Sequence, residues 1–204
     1  MSEDPLTDEK EKKLEDIKKE AEEKACAVQR LLYYIEEFLA GPMCGRCYPC
    51  AFGTYEAKLR LIRLSQHLEG VSALDTEALK RIGSQLIVGS LCKKGKDTGK
   101  FIIATLIESF EKFNLHLSGI CPEKECLSLI EYVIDPELCT MCGECLMVCK
   151  YDAIIGEEKK PYLSGYHPFE IRQKRCPRCG ECIKVCPAGA IEIVIFKKGE
   201  PVGV

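Results

Sequence analysis

The chain has 204 residues, is 46% hydrophobic and carries a formal net charge of −3, a composition that excludes a disordered polypeptide and offers no basic face for nucleic acid. No apolar run nears the roughly 20 residues that cross a bilayer, and the acidic opening Met1-Ser2-Glu3-Asp4-Pro5 has no hydrophobic signal segment, so a cytoplasmic protein is expected. In that compartment fifteen cysteines read as metal ligands before disulfides, and so many oxygen-sensitive ligands point to an anaerobic cell.

Asp4 and Pro5 read as an N-cap and first-turn proline, and one long helix is expected from there to Ala40, where Gly41-Pro42 ends it. Leu14, Ala21, Val28 and Ile35 recur every seven residues, with Ile17, Leu31 and Phe38 on the adjoining seam. This pattern predicts either a solvated helix with a narrow apolar stripe or a lever that grips a partner subunit. Cys26 lies off the stripe and reads as a spare thiol.

Residues 41–117 follow as a second segment. Cys44-Gly45-Arg46-Cys47-Tyr48-Pro49-Cys50 is a CxxCxxC loop without a cysteine four positions on; the next is Cys92. Helical stretches at about 54–69 and 75–88 can fold back and bring Cys92 beside the loop, and a third is expected from Asp97 to about Leu117. The result is a small helical bundle with Cys44, Cys47, Cys50 and Cys92 holding one 4Fe-4S cluster at its end, a zinc site being the alternative. Gly95-Lys96-Asp97-Thr98-Gly99-Lys100 is one residue short of a phosphate loop and is followed by Phe101 rather than Ser or Thr, and no GxGxxG follows a strand; nucleotide binding is not expected.

A linker at 118–137 contains Cys121-Pro122-Glu123-Lys124-Glu125-Cys126. After it, residues 138–204 hold two copies of CxxCxxCxxxC: Cys139, Cys142, Cys145 and Cys149, then Cys176, Cys179, Cys182 and Cys186, the last followed by Pro187 where Lys150 stands in the first copy. Tight loops with two-residue gaps point three thiolates at three corners of a cube, and the fourth cysteine, on the short helix beyond, reaches to the other cube, as in bacterial ferredoxins. One 4Fe-4S cluster is therefore expected on Cys139, Cys142, Cys145 and Cys186, and another on Cys149, Cys176, Cys179 and Cys182. Zinc ribbons are the alternative, but tetrahedral zinc uses separated CxxC pairs and has no need of a third cysteine in tandem. Ala153-Ile154-Ile155 and Ala190-Ile191-Glu192-Ile193 read as short strands. The fold class expected is α+β: a small helical bundle followed by a ferredoxin-like (βαβ)2 domain.

The Cys44–Cys50 loop, with Gly89-Ser90-Leu91-Cys92, resembles the iron-sulfur domain of the flavin-carrying, NADH-oxidising subunit of complex I. With the ferredoxin motifs added it is similar to the corresponding subunit of electron-bifurcating hydrogenases, although Tyr48 and Ala51 replace the threonine and arginine common there. The flavin domain that precedes the bundle in those subunits has no counterpart in residues 1–40. In the hydrogenase relatives a CPxxxC segment resembles a zinc site, and the resemblance implies that His67, Cys121, Cys126 and His167 hold zinc, with His116 able to replace His67; unliganded cysteines and surface histidines are the alternative.

Three clusters without a nucleophile-base pair imply electron conduction rather than chemistry on a substrate. The expectation is an iron-sulfur subunit of a multi-subunit oxidoreductase, relaying single electrons between a catalytic subunit and further electron-transfer subunits or ferredoxin. Subunits that look like this accompany tungsten or molybdenum enzymes and hydrogenases, and class II benzoyl-CoA reductase is the tungsten enzyme whose small subunit fits in size. The alternatives are a free ferredoxin-like carrier and a cluster-based redox sensor.

Overall fold

Helices α1 (Leu14–Glu22), α2 (Ala27–Ala40), α3 (Tyr48–Gln66), α4 (Ala73–Gly89), α5 (Lys93–Glu108) and α6 (Phe110–Leu117) form the first of two compact units, Met1–Cys126 and Leu127–Val204. The computed structural model describes residues 12–157 and 169–195, so the N-cap expected at Asp4, with Pro5 after it, lies outside the described residues.

The heptad stripe packs largely within its own unit, with Leu14 half-buried. Ile17, Ala21, Val28, Leu31, Ile35 and Phe38 are buried against this unit's own helices, together with Leu61, Leu64, Leu79, Leu86 and Ile102. The single helix expected to reach Ala40 is interrupted between Glu22 and Ala27. The cause is a long-range cap: the Glu125 carboxylate accepts the backbone N–H of Ala25 and of Cys26, each at 3.0 Å. That opens a new helix at Cys26 and turns its side chain inward, where it is wholly buried.

Helix α4 opens at Ala73, two residues earlier than expected. Asp75 sits at its third position, accepting the Ser72 N–H at 3.0 Å and the Arg60 guanidinium at 2.9 Å; burial of that carboxylate is tolerable because both contacts are made. Helix α5 likewise starts at Lys93 rather than Asp97, with Cys92 as N-cap. The glycines that suggest a phosphate loop lie inside it and serve close packing. A Cβ at Gly99 would stand 2.6 Å from the Gly83 carbonyl oxygen of α4, and one at Gly95 would stand 2.5 Å from the Cys50 sulfur.

The second unit runs strand, helix, strand twice: β1 (Ile130–Ile134), α7 (Glu144–Val148), β2 (Ile154–Ile155), then β3 (Glu170–Ile171), α8 (Glu181–Val185), β4 (Ile191–Ile195). First pairs with last, Tyr132 opposite Ile193, and second with third, Ile154 opposite Ile171, both antiparallel. Strand β1 falls in the segment read as linker; its alternate residues Ile130, Tyr132 and Ile134 enter a core with Ile154, Phe169 and Ile191. Both units together make the chain α+β.

Gly99→Val should destabilise the first unit by about 1–3 kcal/mol, the usual cost of forcing apart close-packed elements, because the obstruction at Gly83 is backbone. Urea denaturation under anaerobic conditions measures it; an unchanged midpoint would contradict the packing described.

Candidate metal centres

Loops 139–143 and 176–180 repeat the same backbone course. Met141 and Gly143 in one, Arg178 and Gly180 in the other, all have positive φ, between 55° and 81°. Such left-handed turns are what coil a short loop around a point so that three side chains converge. The Tyr132 carbonyl accepts from Gln173 at 2.7 Å and the Ile130 carbonyl from Arg178 at 2.7 Å, tying the second loop to β1.

Around each loop lies a recess. Cys139, Cys142, Cys145 and Cys186 line one, with Ile134, Phe169 and Ile191 as its apolar wall. Cys176, Cys179, Cys182 and Cys149 line the other, with Tyr132, Ile154 and Ile171. Each recess thus takes three thiols from one motif and the fourth from the other, the grouping expected from the spacing. Burial pushes the Cys145 thiol up to about 11 and raises that of Cys182 as well, with the neighbouring sulfurs adding to the shift. Four anionic sulfurs around an apolar recess are unfavourable unless a cationic core compensates them, so the donor set fits an iron-sulfur cube.

In the first unit, Cys47 and Cys92 occupy the N-cap positions of α3 and α5. Two helix N-termini, each with unpaired N–H groups and a partial positive charge, therefore face this end of the bundle. The Leu91 N–H donates to the Cys47 sulfur and lowers its pKa, whereas burial pushes the Cys50 thiol up to about 11. Ser90 lies 3.5 Å from the Cys50 sulfur. Cys44 and Cys92 are exposed. The absence of a side chain at Gly95 leaves room for the Cys50 sulfur, and an anionic cluster suits both the dipoles and the donated N–H.

A third kind of site is more compact. Cys26, His116, Cys121 and Cys126 are all fully buried, with ligand atoms within 4.8 Å of one another. The Cys26 sulfur is 3.3 Å from His116 Nε2 and 3.8 Å from the Cys126 sulfur; Cys126 is 3.4 Å from His116 Nε2. At zinc bond lengths a tetrahedron has sulfurs about 3.8 Å apart, and sulfur about 3.5 Å from nitrogen; the spacing fits a single tetrahedral ion. His116 Nδ1 lies 2.7 Å from the Lys112 carbonyl, which fixes a proton on that nitrogen and leaves Nε2 free to ligate. Burial opposes charging of the imidazole, yet the thiols of Cys121 and Cys26 raise it to about 10, while Cys121 itself is pushed down by Cys126 and Cys26. Gln29 Nε2 donates to the Cys126 sulfur at 3.4 Å.

Cys121 and Cys126 are expected to meet His67, or His116 in its place, and His167. The structure puts His116, not His67, beside them, and adds Cys26. His67 caps α3 in the left-handed conformation and its ring rests on Gly119, two residues short of Cys121; it is not one of the four. His167 lies outside the described residues. Cys26, read from the sequence as spare, is the residue missed, and the unusual proximity of a buried thiol to Glu125 arises only after folding. Its signal in sequence would have been the odd cysteine left over from complete ligand sets.

Residues 30–116 match the iron-sulfur binding region of the F subunit of NADH-ubiquinone oxidoreductase, and residues 138–191 match the 4Fe-4S dicluster domain. The chain is 30% identical over 142 residues to the NADP-reducing hydrogenase subunit HndC of Solidesulfovibrio fructosivorans; the match covers 69% of this chain but spans 28% of that protein. Both iron-sulfur binding regions are therefore present on one polypeptide.

Glu125→Ala removes the cap from the start of α2 and should cost about 1 kcal/mol, as loss of a capping acceptor does. Anaerobic urea denaturation should register the loss; a variant as stable as the parent would mean that the carboxylate does not hold Cys26 in place.

Proposed function

We propose that the chain is an electron-relay subunit of a multi-subunit oxidoreductase, with three 4Fe-4S clusters held by Cys44, Cys47, Cys50 and Cys92; by Cys139, Cys142, Cys145 and Cys186; and by Cys149, Cys176, Cys179 and Cys182. The observation that carries this reading is the exchange of Cys149 and Cys186 between the two recesses, which no set of independent zinc ribbons requires. Each cluster, when bound, accepts and releases one electron. The chain's own residues set how readily that happens: Tyr132, Ile154 and Ile171 exclude water from one recess, Ile134, Phe169 and Ile191 from the other, and the Leu91 N–H and two helix N-termini favour the reduced, more negative state in the bundle. The partners are a catalytic subunit and a further carrier; a tungsten or molybdenum enzyme is one class of catalytic partner that would need such a relay.

Cys26, His116, Cys121 and Cys126 hold one structural zinc ion in this reading. Four protein ligands close the coordination sphere, leaving no open position for substrate or water. The ion would join α2, α6 and the 121–126 loop, drawing Cys26 at the start of α2 and His116 near the end of α6 to Cys121 and Cys126.

Anaerobic protein should contain roughly twelve irons, four per cube, and about one zinc per chain, measured by plasma mass spectrometry. Cys92→Ser should reduce iron to about eight with zinc unchanged, the loss of a single cube. His116→Ala should lower zinc and leave iron intact, whereas His67→Ala should retain both metals. About eight irons in the parent chain would remove the bundle cluster, and zinc that survives loss of His116 would remove the ligand set given above.

A further inference from the structure

The bundle end that carries Cys44, Cys47, Cys50 and Cys92 has two surface features that cluster binding does not use. The first is apolar. Tyr48 and Phe52, one helical turn apart on α3, stack at 4.5 Å and are 74% and 62% exposed; Val88 and Leu91, where α4 ends, are 85% and 81% exposed. Pro49 approaches Gly89 closely enough that a Cβ there would be 3.1 Å away, so the two groups border the same end of the bundle. Aromatic and aliphatic side chains in this degree of exposure, grouped rather than scattered, mark an interaction surface.

The second is charge. Residues 42–53 and 88–100 carry Arg46, Lys93, Lys94, Lys96 and Lys100 against Asp97 alone, a local surplus of four positive charges on a chain whose net charge is −3. A groove of about 680 Å³ begins at Lys93, the residue after Cys92, and follows α5 past Lys100 to Ala104. Lys13 and Lys18 of the opposite wall bring the groove's lysines to five, against Glu15 on that wall and Asp97 on α5, a surplus of three positive charges, and Tyr34 and Phe101 form an aromatic contact at 4.2 Å along it. Lys100 reaches Asp97 only at 3.5 Å and is 67% exposed, a contact worth little in water.

We propose that this end of the bundle is the docking port of an acidic one-electron carrier protein, with the exposed apolar group as the centre of the contact and the lysines as its rim. The inference rests on the electron-relay reading above. Two exposed thiol positions, Cys44 and Cys92, lie at the surface that would be covered, so a carrier seated there meets the cluster edge without a further intermediary. One electron passes from the reduced cluster to the oxidised carrier; no bond forms and no proton moves. Lysines around a cluster could serve merely to offset its negative charge, but that role needs no apolar group beside them and predicts a change in potential rather than in association. Charge complementarity would act mainly on the rate of encounter, as in other small, wet electron-transfer interfaces.

The test uses the full chain loaded with iron and reduced anaerobically, mixed in a stopped-flow instrument with oxidised plant-type ferredoxin as the acidic carrier or with a neutral quinone as control. Lys93→Glu, Lys96→Glu and Lys100→Glu are combined; glutamate is a good helix former at all three positions and suits the helix dipole at Lys93 and Lys96, near the start of α5. The rate with ferredoxin should fall about tenfold or more in the triple variant, and should fall for the parent between about 0.01 M and 1 M salt as the Debye length shrinks. The quinone rate should change less than about twofold in both comparisons, since a neutral acceptor feels no steering. A ferredoxin rate that ignores charge reversal and salt, or no exchange with ferredoxin at all, overturns the port. So does protection of these lysines from acetylation by inorganic pyrophosphate but not by ferredoxin, which would make the groove a small-anion pocket, or a dimer of the parent that the triple variant loses, which would assign the surface to a second copy of the chain. Failure of the relay reading is distinct: the parent would then exchange no electrons with the quinone either.

Discussion

A buried thiolate is tolerated only where positive charge meets it, and that requirement governs how this chain folds. The sulfurs are gathered at recesses and at one buried tetrahedron, where their mutual repulsion and desolvation would be prohibitive without cations. Burial pushes Cys50 and Cys145 to about 11 and raises Cys182; these groups would hold protons unless metal displaced them. On the proposed reading, metal binding and folding are one equilibrium, as in other small domains whose ligands are scattered along the sequence. The second unit illustrates it: its two strand pairs are short, and the residues that pack between them include Cys145 and Cys182 themselves.

The exchange of fourth cysteines makes the two halves of that unit interdependent. Cys149 follows α7 and Cys186 follows α8, yet each lines the recess of the opposite loop. Pairing of β1 with β4 enforces the crossing by bringing the first and last strands together. Strand register, loop handedness and ligand grouping are consistent with one another, which is the condition for a unique fold. The bundle reaches the same end with helices: Cys47 and Cys92 stand at helix starts, and Gly95 permits Cys50 to approach.

The eight cysteines of the second unit were legible because their partners are near in sequence and their spacing is set by loop geometry. Cys92 was legible for a different reason, the helical periodicity that folds it back on the 44–50 loop. Cys26 was not. Its partners His116 and Cys126 lie 90 and 100 positions away, and the turn that aims it inward is imposed by Glu125, so neither local propensity nor the heptad pattern records it. The same contact explains why a continuous helix through residues 23–26 was a reasonable reading and not the outcome. Strand β1, Ile130–Ile134, lies in the stretch read as a linker between Cys126 and Cys139, and the Asp135-Pro136 turn that ends it carries no sign of the distant partner strand β4, Ile191–Ile195; β3 has only two residues and so no period. Gly83 and Gly99 were visible as glycines, but only the crossing of α4 and α5 reveals that each makes room for the other.

The measurement that bears most directly on the conduit is an anaerobic coulometric titration that counts the electrons one chain takes up. Three cubes, each a one-electron centre, predict uptake of about three electrons per chain. Uptake of none, or of a single electron, would contradict the account and leave the cysteine-rich chain a metal-stabilised scaffold.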